Sequence, residues 1–227
     1  MRYVNLDQFF ALLLLPVVLF LLGCLYVIVV PLQGRPFFFA SERMKTRRQA
    51  FSLLKIRTMT PLERSAPVTA LGGDQKNRVT PVGRFLRTYR LDELPQIFNV
   101  LRGDIRFIGP RPPLRRYVED FPELYRKVLD RTPPGITGLA TVTLHAREER
   151  LLARCRTADE TDAVYRRRCI PVKARLDLIY RRRRGLGLNL IILWRTFSRL
   201  SFPKLPRAQA RERTGDVRYA LLRPLED

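Results

Sequence analysis

The longest uninterrupted apolar stretch of the chain lies near its N-terminus. Residues 9–30, FFALLLLPVVLFLLGCLYVIVV, carry no charge and exceed the roughly 20 residues that a helix needs to cross the hydrocarbon core of a bilayer. A secretory signal has a shorter apolar core and a small-residue cleavage site, and no such site follows here. Pro16 has no N–H for the carbonyl of Leu12, so we expect a kink or break there. The pattern is compatible with both a kinked span and a re-entrant hairpin.

The rest of the chain alternates between strand-like and helix-like patterns. Strands are predicted near residues 37–39, 51–59 and 105–108, and helices within residues 80–103, 114–130 and 146–184. Residues 186–202, LGLNLIILWRTFSRLSF, mix aromatic and aliphatic positions with Arg195 and Arg199, which favours an amphipathic helix in the membrane interface. A core helix with a basic flank is the alternative. The expected class is α+β, with a membrane helix, a compact domain of helices and short strands, and interfacial amphipathic helices.

Charge separates the apolar stretch from the remainder of the chain. The 227 residues have a formal net charge of +22, and the two charges within residues 1–30, Arg2 and Asp7, cancel. Because positively charged flanks stay in the cytoplasm, we expect the main domain on the cytoplasmic face of the membrane. Three segments are predicted: a membrane anchor at 1–33, a cytoplasmic domain at 34–202 and a loosely ordered tail at 203–227.

Composition argues against several classes of site. One histidine, His145, and three scattered cysteines do not suit a zinc site or a cysteine nucleophile. The positive charge would suit nucleic-acid binding, yet the sequence has no helix-turn-helix, zinc finger or aromatic RNA-binding signature. Its basic residues are spread along the chain, as expected for a protein that lies on anionic lipid and handles anionic substrates. We therefore expect anionic membrane lipids as partners and no nucleic acid.

The segment LDELPQIFNVLRG, residues 91–103, predicts a helix with polar groups gathered at its start. Its apolar stripe, at spacing i, i+3, i+4, i+7, is formed by Leu94, Ile97, Phe98 and Leu101. Proline is tolerated only in a first helical turn, so Pro95 places the helix start near Asp92, which can serve as the cap. Asp92, Gln96 and Asn99 share a second face, where the helix dipole favours anions. These three are candidate site residues.

Arginines surround the Asp92-Glu93 pair in the sequence. Three of them precede it at positions 84, 87 and 90, and Arg111 follows within a stiff Gly-Pro-Arg-Pro turn. Carboxylates among fixed arginines are typical of phosphoryl transfer, because positive charge takes up the negative charge of the transition state. Helix capping and structural salt bridges are the alternative. No Walker sequence is present, which excludes a P-loop enzyme.

The chain resembles the bacterial sugar transferases, the monotopic phosphoglycosyl transferases that start glycan assembly on a polyprenol phosphate. The resemblance covers nearly all of residues 1–145 and, more weakly, 176–200. Its motifs are KIRTM at 55–59, LDELPQIFNVLRGD at 91–104, GPRP at 109–112 and PGITGL at 134–139. The segment at about 146–175 is longer and more basic than the family pattern, which points to a role in the choice of sugar or partner.

The resemblance implies a two-step reaction on a nucleotide-diphospho-sugar, usually a UDP-sugar. Asp92 would attack the β-phosphate, releasing UMP, and undecaprenyl phosphate would then take the phospho-sugar from the carboxylate. Glu93 would bind Mg²⁺ and help to position the substrate. Phosphate and nucleotide contacts are expected from Arg87 and Arg111, with Lys55 and Arg57 as additional phosphate contacts.

The family also has a re-entrant membrane helix, which matches residues 8–30 and favours a hairpin at Pro16 with both ends in the cytoplasm. The implied location is the inner membrane of a bacterium. One departure concerns the break itself, which is typically Ser-Pro in the family and is Leu15-Pro16 here. Two other hypotheses stay open: an inactive membrane-bound scaffold of glycan assembly and a basic, membrane-tethered binding protein. The sugar, the glycan pathway and the oligomeric state are left open by the sequence.

Overall fold

The computed structural model describes residues 5–60, 77–130 and 132–201, with side chains up to residue 198. Its elements, in chain order, are α1 (Leu6–Gln33), β1 (Phe38–Met44), β2 (Ala50–Ile56), α2 (Pro81–Thr88), a 3₁₀ turn (Leu91–Glu93), α3 (Gln96–Arg102), β3 (Arg106–Ile108), α4 (Arg115–Asp120), α5 (Pro122–Leu129), β4 (Gly135–Thr137), α6 (Leu139–Leu152), α7 (Ala158–Val164), a π-helical turn (Tyr165–Cys169), α8 (Ile170–Arg183) and α9 (Leu186–Ser201). The predicted tail, 203–227, lies outside the described residues. Helices with a few short strands agree with the expected α+β class.

The strands form two small sheets. β1 and β2 are an antiparallel hairpin whose register runs from Phe38 opposite Ile56 to Met44 opposite Ala50. β3 and β4 pair in parallel, and the sequence pattern did not predict β4, because three residues are too few to establish a period. Gly135 is required in this pair, since a Cβ there would lie 2.2 Å from the backbone nitrogen of Gly109. The close approach holds the segment after β3 against β4.

Helix α1 lies along the domain. It is helical without interruption through Pro16, so the predicted break is not seen. One face packs on the domain through residues spaced three or four apart, namely Ala11, Leu15, Val18, Leu22, Leu25 and Val29. Both ends are also bonded to the domain, because Gln8 Nε2 donates to Leu101 O at 2.9 Å and Gln33 Nε2 donates to Arg57 O at 2.6 Å. Helix α1 is long and apolar enough, by length and composition, to cross a membrane.

The apolar stripe predicted on α3 packs as expected. Side chains of α1, β2 and α3 form one core cluster, centred on Ala11, Leu53, Ile97 and Val100. A second cluster joins the end of β1 to α4, α5 and α8 and contains Met44, Leu114, Tyr117, Val118, Tyr125, Val128, Leu129, Ile170 and Ala174. The hairpin β1–β2 therefore lies between the two clusters and connects them.

Helix α9 has one packed face and one open face. Ile192 is buried against Val142 and Tyr180, which accounts for the packed face. The open face carries large apolar side chains, namely Leu186, Leu190, Ile191, Trp194 and Phe197, with Trp194 75% exposed. This division agrees with the predicted amphipathic character and excludes a fully buried core helix.

Candidate active site

Asp92 and Glu93 lie on the 3₁₀ turn that joins α2 to α3. The turn follows Arg90, whose backbone is left-handed with φ 54°, a conformation that is uncommon for residues other than glycine. The prediction that the helix starts near Asp92, with Asp92 as its cap, was wrong. Helix α3 begins at Gln96 with Pro95 as its N-cap, and Asp92 makes no capping bond. The two carboxylates thus precede the helix.

The Glu93 carboxylate is held by arginines on both of its oxygens. Oε2 accepts from Nε and Nη2 of Arg90, at 3.1 and 2.6 Å, and Oε1 accepts from Nη2 of Arg111 at 2.5 Å. Lys55 Nζ lies 3.9 Å from Oε1. Burial would raise the pKa of Glu93, but these cations outweigh it, Arg111 most strongly, and hold the pKa well below its usual range. Glu93 is therefore a fixed negative charge.

The neighbouring Asp92 is buried but unpartnered. Asp92 is 7% exposed. Within the described ranges, no hydrogen bond or ion pair reaches its carboxylate. Burial raises the pKa of Asp92, as does the charge of Glu93, against the opposing effects of Lys55, Arg111 and Arg87. The pKa values of the two adjacent carboxylates are thus shifted in opposite directions. Such a difference is typical of a site in which one carboxylate reacts and the other supports it.

Lys55 and Arg87 approach the carboxylates from two sides. Lys55 lies near the end of β2, and burial together with repulsion from Arg111 lowers its pKa to about 8, against the attraction of Glu93. Arg87, on the last turn of α2, donates from Nε to Thr58 Oγ1 at 2.8 Å. That is its one side-chain hydrogen bond among residues the structure describes. The rest of its guanidinium is available to an anion.

Arg111 is positioned by the pairing of β3 with β4. The loop after β3 is fixed to β4 by a hydrogen bond from Gly135 N to Pro110 O at 2.8 Å. Arg111 itself donates from Nη1 to Ile136 O at 3.3 Å, which leaves Nη2 directed at Glu93. The Gly-Pro-Arg-Pro turn and the PGITGL motif therefore act together, since one carries the arginine and the other orients it.

Arg57 is placed away from the carboxylates. Its Nη2 donates to Gln33 O and, at 2.6 Å, to Gly34 O, the last carbonyls of α1. Helix C-termini leave such carbonyls without intrahelical partners, and a basic side chain satisfies them. This placement differs from the predicted phosphate contact and makes Arg57 an anchor for α1.

The two amides predicted beside Asp92 also have other surroundings. Asn99 is 0% exposed; its Nδ2 donates to Ser52 O at 2.8 Å and to Asp104 Oδ2 at 3.1 Å, and its Oδ1 accepts from Leu54 N at 3.0 Å. It therefore joins α3 to the edge of β2 instead of lining the site. Gln96 is 2% exposed, and its Nε2 is buried without a hydrogen-bond partner in the described structure.

Sequence reasoning left two cations out of the candidate site. The sequence placed Arg90 among the arginines near Asp92 and Glu93 but gave it no role in the site. Its i, i+3 spacing to Glu93 could have predicted the ion pair between the two residues. Arg43 lies near the end of β1, and the next residue, Met44, is bonded to Pro113 of the segment that follows Arg111. The charge of Arg111 lowers the pKa of Arg43, and the charge of Arg43 lowers the pKa of Lys55. No local pattern predicts this, because the residues are far apart in sequence.

The donor atoms present suit Mg²⁺ only in part. Within residues 5–60, 77–130 and 132–201, no group of three or more His, Cys, Asp or Glu side chains could hold a metal. Mg²⁺ is, however, commonly bound by one or two carboxylates together with substrate phosphates. Glu93 is permanently ionised, and a carboxylate has about four lone-pair sites, so it retains acceptor capacity beside Arg90 and Arg111. It fits as one protein ligand of an ion brought by a diphosphate.

Comparison with known proteins gives consistent matches. The profile of the family described as bacterial sugar transferase matches residues 3–202. The sugar transferase EpsL of Bacillus subtilis is 40% identical over 131 residues, which are 55% of this chain and 63% of that protein. A UDP-N-acetylgalactosamine-undecaprenyl-phosphate N-acetylgalactosaminephosphotransferase of Aeromonas hydrophila is 33% identical over 167 residues, 71% of this chain and 34% of that protein.

A further relative has higher identity over a shorter range. A UDP-glucose:undecaprenyl-phosphate glucose-1-phosphate transferase of Caulobacter vibrioides is 45% identical over 96 residues, 40% of this chain and 35% of that protein. The matched part amounts to between about a third and just under two thirds of the length of these relatives. The similarity therefore concerns the part of each relative that corresponds to this chain.

Proposed function

Because the chain belongs to the bacterial sugar transferase family, we propose that it transfers a sugar-1-phosphate from a UDP-sugar to undecaprenyl phosphate. The observation that carries the proposal is the contrast between Asp92, buried and without a partner, and Glu93, held by Arg90 and Arg111. The names of two relatives support the substrate classes, since both specify undecaprenyl phosphate and each specifies a different UDP-sugar. The product would start the assembly of a glycan such as an exopolysaccharide.

The first step uses Asp92 as the nucleophile. One of its carboxylate oxygens forms a bond to the β-phosphorus of the UDP-sugar, and the bond from that phosphorus to the bridging oxygen breaks. UMP leaves with the electron pair, and the phospho-sugar stays on Asp92 as an acyl phosphate. A carboxylate without hydrogen bonds suits this role, because no partner has to be displaced before attack.

The second step regenerates the enzyme. A phosphate oxygen of undecaprenyl phosphate attacks the same phosphorus, the acyl phosphate P–O bond breaks, and Asp92 recovers its carboxylate. The product is undecaprenyl diphospho-sugar. In both steps negative charge develops on the phosphoryl oxygens, and Lys55, Arg87 and Arg111, whose charges act on Asp92, would neutralise it.

Glu93 has a supporting role in this scheme. Its charge holds Arg90 and Arg111 in place, so the cations are oriented before substrate arrives. We include Mg²⁺ in the proposal as an ion held by Glu93 and the donor diphosphate, where it would supply further neutralisation of phosphate charge. In this scheme Arg111, which is held by Glu93, would also contact the reacting phosphate.

The proposed location is the cytoplasmic membrane of a bacterium, with the domain on its cytoplasmic face. Helix α1 has both ends bonded to the domain, which supports a re-entrant arrangement over one that carries an end to the far side. The open face of α9 and the positive charge of the chain support contact with anionic lipid. A tag on the N-terminus should accordingly be inaccessible from outside sealed cells.

The test uses the purified full chain in detergent with Mg²⁺, undecaprenyl phosphate and a panel of UDP-sugars, with UMP release as the readout. We expect sustained release with one or more sugars only when the lipid phosphate is present. Without the lipid, release should stop at one UMP per protein, the stoichiometry of a covalent intermediate. Folded protein that releases no UMP with any sugar would support the scaffold hypothesis instead.

A further inference from the structure

Arg43 is fixed beside the loop that carries Arg111. It lies in β1 opposite Phe51 of β2, and the next residue, Met44, donates from its backbone nitrogen to Pro113 O at 3.0 Å. This bond ties the end of β1 to the segment that follows the Gly-Pro-Arg-Pro turn. The backbone of Arg43 is therefore held close to the segment that carries Arg111.

Among the residues that the structure describes, no carboxylate serves as a counter-ion for the Arg43 guanidinium. Its Nε is buried without a hydrogen-bond partner, and no carboxylate of the described segments pairs with it. The nearby charges are cations: Arg111 acts on Arg43, and Arg43 acts in turn on Lys55. A buried charge without a partner is unfavourable, so its retention here points to an anion beyond those that the described residues supply.

The other cations around the two carboxylates have partners. Arg90 binds Glu93 with two nitrogens, Arg111 binds Glu93 and Ile136, and Lys55 lies 3.9 Å from Glu93. Arg87 donates to Thr58 Oγ1, so Arg43 is the cation of this cluster for which the described structure shows no side-chain hydrogen bond or ion pair. A guanidinium also presents a planar set of donors that matches the oxygens of a phosphate group.

The 146–175 segment contributes Tyr165 to the surroundings of Arg43. Its Tyr165 packs on Tyr117 with ring centroids 5.0 Å apart and accepts a hydrogen bond from Lys173 at 3.1 Å. Both tyrosines lie close enough to Arg43 to influence its pKa. The segment that is longer than the family pattern therefore reaches the neighbourhood of the unpaired arginine.

We propose that Arg43, together with Arg111 and Lys55, forms a phosphate-binding subsite that Tyr165 borders. The ligand is a phosphate group, and its identity as a substrate phosphate rests on the proposed function. Two sources share this chemistry, the diphosphate of the donor and the phosphate of the lipid acceptor. No hydrogen bond from the Arg43 side chain to another described residue would be lost on its replacement, so a structural role is not expected.

The first experiment is independent of catalysis. Binding of inorganic pyrophosphate to the full chain in detergent is measured by calorimetry for the wild type, Arg43→Gln, Arg43→Lys and Arg48→Gln. Arg48 is an exposed arginine in the turn between β1 and β2, so its replacement removes the same charge a short distance away. We expect about 10- to 100-fold weaker binding for Arg43→Gln, the loss of one charged hydrogen-bonding group, a smaller loss for Arg43→Lys and none for Arg48→Gln.

Three results would overturn the subsite. They are equal pyrophosphate affinity in Arg43→Gln and the wild type, an equal loss in Arg48→Gln, and a lower Tm in both Arg43 variants, which would show a structural role. We expect an unchanged or higher Tm for Arg43→Gln, because the variant no longer has the free-energy cost of burying that charge.

A second experiment separates the two sources of phosphate. If Arg43 binds the donor, Arg43→Gln slows the single release of UMP seen without lipid acceptor. If it binds the acceptor, that release is unchanged and only turnover with undecaprenyl phosphate falls. Should no UDP-sugar give UMP while pyrophosphate binding still depends on Arg43, the proposed function fails and the subsite stands.

Discussion

Two clusters of arginines and carboxylates lie in the domain, and they differ in how their charges are matched. In the cluster around Asp162, Arg116 and Arg166 donate to one carboxylate oxygen and Tyr117 to the other, at 2.5–2.9 Å. Arg166 also pairs with Asp120 at 2.7 Å. Two cations thus face two carboxylates, and every charged group has a partner.

The cluster around Asp92 and Glu93 is not balanced in this way. Its cations outnumber its carboxylates and are Arg43, Lys55, Arg87, Arg90 and Arg111. Asp92 accepts no hydrogen bond from the described residues, although two of the arginines bind its neighbour. Matched charges connect one part of a fold to another, whereas surplus cations and a carboxylate without a partner among the described residues suit the binding of a ligand.

The sharpest test of this difference replaces one aspartate from each cluster by asparagine. Asp92→Asn should lower turnover by about 10⁴-fold or more, the scale seen when a catalytic nucleophile is removed, because the amide is a poor nucleophile of nearly the same shape. Its Tm should not fall, since burial already disfavours the charged form of Asp92. UMP release and thermal unfolding in detergent measure the two effects.

Asp162→Asn provides the matched control with the opposite expectation. It weakens the bonds to Arg116 and Arg166 and should cost about 1–3 kcal/mol of stability, while a large part of the turnover remains. Substantial UMP release by Asp92→Asn would remove that residue from the nucleophile role. Loss of turnover without loss of Tm in Asp162→Asn would show that the two clusters are not distinct in function.

The comparison also explains what the sequence could predict. Asp92, Glu93 and Arg111 were identified because they lie in short motifs whose spacing and stiff turns are local properties. Asn99 was a candidate because it shares a helix face with Asp92, and Arg57 because the resemblance implies a phosphate contact. Their partners include Ser52 and Gln33, and these contacts depend on how α3 and α1 dock. Local spacing reports which side chains share a turn, and it does not report which distant backbone groups need a partner.

The membrane helix shows the same division. Length and apolar composition predicted α1, and one helix passes that test in the described part of the chain. A kink and a break were both expected at Pro16, and the helix continues through this residue without a break. A proline removes one hydrogen bond without by itself ending a helix that packs along the domain. Tertiary contacts outweighed the local preference.

Replacement of Glu93 tests whether this residue contributes to turnover as well as to stability. Glu93→Gln leaves Arg90 and Arg111 buried beside a neutral amide, and breaking a buried ion pair costs about 3–5 kcal/mol. We also expect turnover to fall by about 10²- to 10³-fold, the effect of disturbing groups that stabilise a transition state. Turnover per folded molecule and Tm are to be measured together. A lower Tm with unchanged turnover would make Glu93 purely structural.

The smallest expected effect is a shift in pH dependence. Asp92 must be ionised to attack, and its pKa is raised by burial and by Glu93, so kcat/KM should fall as the pH decreases through that value. Lys55 must be protonated to neutralise phosphate, and burial with repulsion from Arg111 lowers its pKa to about 8, so kcat/KM should also fall as the pH rises through about 8. The result is a bell-shaped profile of the free enzyme.

Lys55→Arg identifies the group responsible for the alkaline limb. Arginine stays protonated throughout this range, so the limb near pH 8 should move upward while the acid limb, which depends on Asp92, stays in place. Arg48→Gln, which changes an exposed arginine, should move neither limb. If the alkaline limb persists near pH 8 in Lys55→Arg, the limb belongs to another group. Lys55 would then not be one of the phosphate-neutralising cations that distinguish this cluster from the one around Asp162.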